Sequence, residues 1–224
     1  TIVDPLDRHI HLPMTILLIR HGETALNAAR VMQPPDTPLS ARGEAQAQSL
    51  AQRLVGLRPT ALLSSDQPRA RSTAAAVAAA CGLPLLESVL WRERHFGAWR
   101  GRPYDELPPD ALRMEAAPPG GESGADFRRR VDAAWSEALE QHRHLMHEAE
   151  QRAVLVVVTH GLVIWDLLAR QLDLGGAAMP GHLGNTSVTV VAAAAPHRVR
   201  LLACTRHLEE GDQVADDPRA LCGG

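Results

Sequence analysis

The chain has 224 residues, of which 45% are hydrophobic and 22% charged, enough to bury a substantial core in one domain or at most two. A net charge of −3 and a pI near 6.4 give it no global basic field. That argues against nucleic acid or an anionic membrane as its main partner, and any anion site has to be built locally. The sequence contains no lysine, so all 23 basic residues are arginine, which excludes Schiff-base chemistry and a P-loop lysine.

Residues 1–13 carry acidic residues and two prolines without an apolar stretch, and read as an N-terminal extension rather than a secretory signal. Residues 15–19 (TILLI) form a short β-branched run between Pro13 and Gly22, the pattern of a buried strand. The segment at 40–57 predicts an amphipathic helix, with Ser40 as N-cap, Glu44 in the first turn, and Ala45, Leu50, Leu54 and Leu57 on one side. A second strand follows at 60–65 (TALLSS). Then comes an alanine-rich helix that starts at Pro68 and stops at Gly82.

Residues 123–150 predict a long helix with Phe127, Val131, Ala134, Trp135, Leu139 and Leu145 on its apolar side and a solvated face of arginines and glutamates. A third strand at 153–159 leads directly into a buried helix at 161–172, and two late strands cover 186–192 and 199–204. Alternating strands and helices predict a single α/β layered domain over 14–208 with a largely parallel sheet, followed by a flexible acidic tail at 209–224. No run approaches the ~18 apolar residues of a membrane span, so a cytoplasmic location is the expectation. Cys81, Cys204 and Cys222 lie far apart with no CxxC pair, so neither zinc nor a disulfide framework is indicated.

In open α/β sheets ligands bind beyond the carboxyl ends of the strands. The first buried strand ends in Arg20-His21-Gly22, the second in Ser64-Ser65 followed by Arg69 and Arg71, and the third in Thr159-His160-Gly161. As parallel neighbours they would aim two histidines and two arginines into one crevice. Arginines repel a cation and no carboxylates accompany them, so a metal is not expected; guanidinium groups and helix N-termini suit a phosphate. The glycine after each histidine is expected to let the backbone approach the bound group. Neutral imidazole can accept a phosphoryl group directly.

The remaining need is a carboxyl group that can hold a proton at neutral pH. Glu93 fits, flanked by Trp91, Phe96 and Trp99 in a chain with only six tryptophans and phenylalanines. The bland alternative is a surface pair of Glu93 with Arg92 or Arg94.

These residues resemble the histidine phosphatase superfamily, the phosphoglycerate mutase-like proteins, from about residue 16 to residue 189. The resemblance rests on RHGETALN, DTPLSARGEAQAQSLAQRL, SSDQPRARSTA, LWRERHFGAWRG, PGGES, VVVTHGLVIWDLL and NTSVTVV, in the family's order. It implies a three-layer α/β/α sandwich around a mostly parallel sheet. It also implies His21 as phosphoacceptor, Glu93 as proton donor and later base, Arg20, Arg69 and His160 as a clamp on the phosphoryl group, and Asn27 as a further contact. By the same alignment Arg71 becomes a surface residue, and Asn185 turns the loop beside the site. No cofactor is implied.

The sequence departs from the family in two places. QPPD at 33–36 stands where a Gln-Gly pair is common, which stiffens a loop over the pocket, and Arg100 stands where many phosphatases carry an acidic residue. Arg94, Arg100 and Arg102 are expected at the substrate rim. The expected activity is hydrolysis of a small-molecule phosphomonoester. Phosphoglycerate mutases of the family carry a longer insertion before GES and use a pocket lysine, which this chain lacks. A non-catalytic module for phosphorylated ligands is a third reading, opposed by the presence of both histidines and the glutamate. A homo-oligomer is left open.

Overall fold

The computed structural model describes residues 14–148 and 153–208. The extension expected at 1–13, the tail expected at 209–224 and the last two residues of the expected long helix, 149–150, lie outside them. Six strands form one sheet: β1 (Met14–Arg20), β2 (Ala61–Ser65), β3 (Leu85–Ser88), β4 (Ala153–Thr159), β5 (Val188–Ala192) and β6 (Val199–Cys204), in the order β3-β2-β4-β1-β5-β6. The first four are parallel; β5 runs antiparallel to β1, and β6 antiparallel to β5. β1 and β4 are buried along their length among the described side chains, which is why they read as continuous apolar runs rather than as alternating ones.

Alternate residues of these strands supply two cores. Leu17, Ile19, Val156 and Val158 point to α2 (Ala41–Val55) and α3 (Pro68–Cys81), meeting Leu50, Leu54, Ala70 and Val77. Ile16, Leu18, Leu155 and Val157 point the other way, toward Phe127, Val131 and Trp135 of α4 (Gly124–Glu148) and Val163 and Leu167 of α5 (Gly161–Arg170). The result is the expected α/β/α layering. Small side chains on α3 let it lie close to α2 and the sheet.

The helix ends follow their local chemistry. Ser40 Oγ accepts from Gly43 N–H and caps α2, Pro68 opens α3, and Gly82 closes it at φ 68. Ser123 Oγ accepts from Asp126 N–H at 3.0 Å at the start of α4. Sequence reasoning missed β3, a four-residue edge strand of mixed burial, and α1 (Ala25–Ala28), a single turn capped reciprocally by Thr24 and Asn27. Neither is long enough to show a period.

Gly22 has a different role from the one expected. A Cβ there would lie 2.6 Å from the carbonyl oxygen of Gly43, and one on Gly43 would lie 2.0 Å from that of Glu23. The two glycines let the loop after β1 lie directly against the first turn of α2. Their small size serves chain-to-chain contact. A Gly43→Ala substitution is expected to push these backbones apart and to cost about 1–3 kcal/mol, read as a lower urea midpoint at unchanged slope.

Candidate active site

The register of β1 and β4 pairs Arg20 with Thr159, and the next residue's N–H, that of His21, donates to Thr159 O at 2.9 Å. His21 and His160 therefore leave adjacent strands side by side, with ring centroids 5.1 Å apart and both side chains fully buried. His21 Nδ1 lies 2.7 Å from Gly22 O. A carbonyl only accepts, so Nδ1 is the donor, and in the neutral form of the ring the lone pair falls on Nε2.

The peptide that follows His21 is held from behind. His21 O accepts from Asn185 Nδ2 at 3.0 Å and from Thr186 N–H at 3.3 Å. Thr186 sits at φ 54, an unusual conformation for a β-branched residue. Its hydroxyl donates to Asn185 O at 2.7 Å and lies 2.9 Å from His207 Nε2. Gly22 N–H donates to Thr73 Oγ1 at 2.9 Å, tying the same loop to α3.

Arg69 comes from the first turn of α3 and is 2% exposed. Its guanidinium donates to Gln67 Oε1 at 2.8 Å and to Pro34 O and Pro35 O at 3.3 and 3.4 Å, and its Nε has no hydrogen-bond partner. All these acceptors are neutral, so a buried cation has no ion-pair partner among the described residues. Burial pulls its pKa down to about 10, which leaves it charged at neutral pH. Arg20, equally buried, donates through Nη1 to Leu183 O. Such a setting favours a bound anion.

His160 Nε2 pairs with Ser65 Oγ at 2.9 Å, while its Nδ1 is buried and has no hydrogen-bond partner. Burial, and then the charges of Arg69, His21, Arg130 and Arg20, push its pKa well below the ordinary histidine value, so the ring is neutral.

Glu93 follows the fully buried Trp91. Its Oε1 accepts from Arg94 N–H at 2.9 Å and its Oε2 from Leu162 N–H, in the first turn of α5, at 3.1 Å. Burial raises its pKa above the usual carboxyl range, against the opposing pull of these N–H groups and of Arg69 and Arg130. The bland pairing does not form, because Arg92 pairs with Asp66 and the Arg94 guanidinium turns elsewhere. Asn27 braces the loop: its Oδ1 accepts from Thr24 N–H at 3.0 Å and from Asn185 Nδ2 at 3.4 Å.

A cavity of about 420 Å³ opens over Arg69 and Glu93, with Met32, Val89, Phe96, Leu112 and Leu162 as its apolar wall. Of the expected rim arginines, Arg100 and Arg94 line the cavity and Arg102 does not; Arg100 has the more available charge. Its Nε donates to Gly97 O at 3.1 Å, and it has no ion-pair partner among the described residues. Arg94 lines the cavity too, but it is 5% exposed, and its guanidinium donates to the carbonyls of Leu112, Met114, Ala116 and Glu122, so it pins a loop instead of offering a free charge. Arg102 lies off the cavity wall, exposed and paired with Glu106 at 3.6 Å. The solvated face expected of α4 is interrupted by Arg130, which reaches the cavity beside Glu122 of the GES motif. No sequence signal separates Arg130 from its neighbours Arg128 and Arg129. Among the described residues no cluster of histidine, cysteine and carboxylate side chains could hold a metal.

Comparison with known proteins identifies the family. Residues 16–204 match the family model of the histidine phosphatase superfamily (branch 1), and the chain belongs to that superfamily. Among curated relatives, the probable phosphoglycerate mutase GpmB of Yersinia enterocolitica is 34% identical over 171 residues, covering 72% of this chain and 76% of the relative. Among solved structures, YhfR of Bacillus stearothermophilus matches with a TM-score of 0.73 at 28% identity, over 87% of this chain and 99% of the other. A mycobacterial glucosyl-3-phosphoglycerate phosphatase matches with a TM-score of 0.66 at 31% identity, over 80% and 89%.

The buried neutral His160 has a consequence for stability. Its folded pKa lies below its unfolded one, so its contribution is intact above about pH 6.5 and is lost as pH falls toward the folded value, by up to about 1.4 kcal/mol per unit. Urea unfolding at pH 7.5 and 5.5 should show His160→Gln losing less stability over that interval than the parent chain.

Proposed function

We propose that this chain is a phosphomonoester hydrolase that works through a phosphohistidine intermediate at His21 on small phosphorylated metabolites. The observation that carries this reading is the 2.7 Å contact of His21 Nδ1 with Gly22 O, which in the neutral ring leaves the lone pair on Nε2, where it can act as a nucleophile. In the first half-reaction Nε2 attacks phosphorus, the P–O ester bond breaks, and Glu93 delivers its proton to the departing alkoxide. Arg20, Arg69 and His160 stabilise charge on the equatorial oxygens. In the second, the Glu93 carboxylate takes a proton from water, whose oxygen attacks the phosphohistidine, and inorganic phosphate leaves with His21 restored.

Hydrolysis is favoured over mutase chemistry by the absence of lysine and by the short span from the aromatic segment to GES. The second reading, a mutase, is supported by the name of the curated relatives. Supplying 3-phosphoglycerate with a bisphosphoglycerate primer, and following phosphate release and isomer exchange separately, distinguishes the two. No helix among the described residues is long and apolar enough to cross a membrane, and a cytoplasmic enzyme is part of the proposal.

Rapid quenching with a radiolabelled phosphomonoester should trap an acid-labile, base-stable label on the parent chain. His21→Ala should take up none and lose at least about a thousandfold in turnover. Labelling of that variant at the parent's rate would remove His21 from the mechanism.

The substrate is expected to carry a second negative charge, because Arg100 lines the cavity wall with no ion-pair partner among the described residues. Arg100→Ser should raise KM for 3-phosphoglycerate about tenfold and leave KM for an uncharged-body ester such as glycerol 1-phosphate nearly unchanged.

A further inference from the structure

Glu93 lies on a segment with little regular structure, between a short 3-10 turn (Val89–Trp91) and another at Gly97–Trp99. A general acid has to be aimed, and a carboxylate on irregular backbone has no strand or helix ladder to aim it. The bonds that hold this segment converge on one ion pair. Arg130 Nε and Nη2 meet Glu122 Oε1 and Oε2 at 2.9 and 2.7 Å, a two-pronged pair in which both side chains are less than one-fifth exposed.

The rest of that pair's hydrogen-bonding capacity is directed to the Glu93 segment. Arg130 Nη1 donates to Leu90 O at 2.9 Å and to Arg92 O at 2.6 Å, and Nη2 lies 3.4 Å from Glu93 O. Glu122 Oε2 accepts from His95 N–H at 3.2 Å. The backbone is thus gripped on both sides of Glu93. The guanidinium also packs over the Phe127 ring, 5.3 Å from its centroid, which fixes its plane.

From this geometry we infer that Arg130 and Glu122 act together as a positioning clamp that aims the Glu93 carboxyl at the leaving oxygen, without themselves touching the reacting atoms. The inference rests on the proposed role of Glu93 as proton donor. Only a planar, forked cation can serve two carbonyls and both oxygens of one carboxylate at once, so lysine cannot replace Arg130. The clamp also joins the acid to the pocket loop, because the backbone carbonyl of Glu122 accepts from Arg94.

A poor leaving group needs the proton and a good one does not, so the test compares glycerol 1-phosphate with p-nitrophenyl phosphate. The value of kcat/KM reports the first phosphoryl transfer for both. Arg130→Met and Arg130→Lys are each expected to lower kcat/KM for the alkyl ester about 10- to 100-fold and for the aryl ester less than about threefold, with Glu122→Gln following in the same direction. Glu93→Gln serves as the reference and should show the same selectivity, larger.

A merely structural role would lower both substrates alike in whatever fraction folds, and that result overturns the inference. So does an unchanged ratio in Arg130→Lys, the milder variant, if Arg130→Met fails to fold. If Glu93→Gln is selective and the clamp variants are not, the clamp alone is wrong; if Glu93→Gln is itself unselective, the acid assignment falls and the clamp with it.

Discussion

The parallel pairing of β1 with β4 is the constraint on which the site depends. Its register sets Arg20 opposite Thr159, and one further hydrogen bond, from His21 N–H to Thr159 O, carries the alignment past the strand ends. Two histidines 139 positions apart in sequence are thereby brought to 5.1 Å. A slip of one residue would turn every side chain of β1 to the other face, exchanging the two cores as well as dispersing the site. The register is held by the apolar content of both faces, since each strand feeds α2 and α3 on one side and α4 and α5 on the other.

Around that register the site combines opposite electrostatic demands. Arg69 is buried against neutral acceptors, which favours a bound anion, while desolvation raises the Glu93 pKa and so favours its protonated form. His160 is kept neutral, so its ring adds no repulsion to the arginines. Burial drives all three effects. The same desolvation that weakens a charge on His160 or Glu93 strengthens the pull of Arg20 and Arg69 on any anion that binds there.

Much of this is legible in the sequence. The strands ending in Arg20-His21 and Thr159-His160, the capped helix at Ser40 and the helix from Pro68 to Gly82 all carry strong local signals, and each lies where its signal placed it. Glu93 stood out because aromatic residues are scarce elsewhere in the chain. Arg94 lines the cavity but directs its guanidinium to the carbonyls of Leu112, Met114, Ala116 and Glu122, and Arg102 pairs with Glu106 off the cavity wall; local sequence pattern does not distinguish such guanidinium groups from one that faces a ligand. β3 and α1 escaped notice because four residues are too few for a period to show.

The sequence by itself determined the layers, the order of the elements and the residue types at the strand ends, because hydrophobic period and capping chemistry act over a few residues. Only the tertiary structure decided which of these residues meet. The proton on His21 Nδ1 depends on a carbonyl turned toward it, and the raised Glu93 pKa on burial beneath α5. Gly22 proved to be spacing between two backbones, and Arg130 left a solvated face for the Glu93 segment. Each of these rests on contacts between distant parts of the chain, which local sequence pattern does not encode.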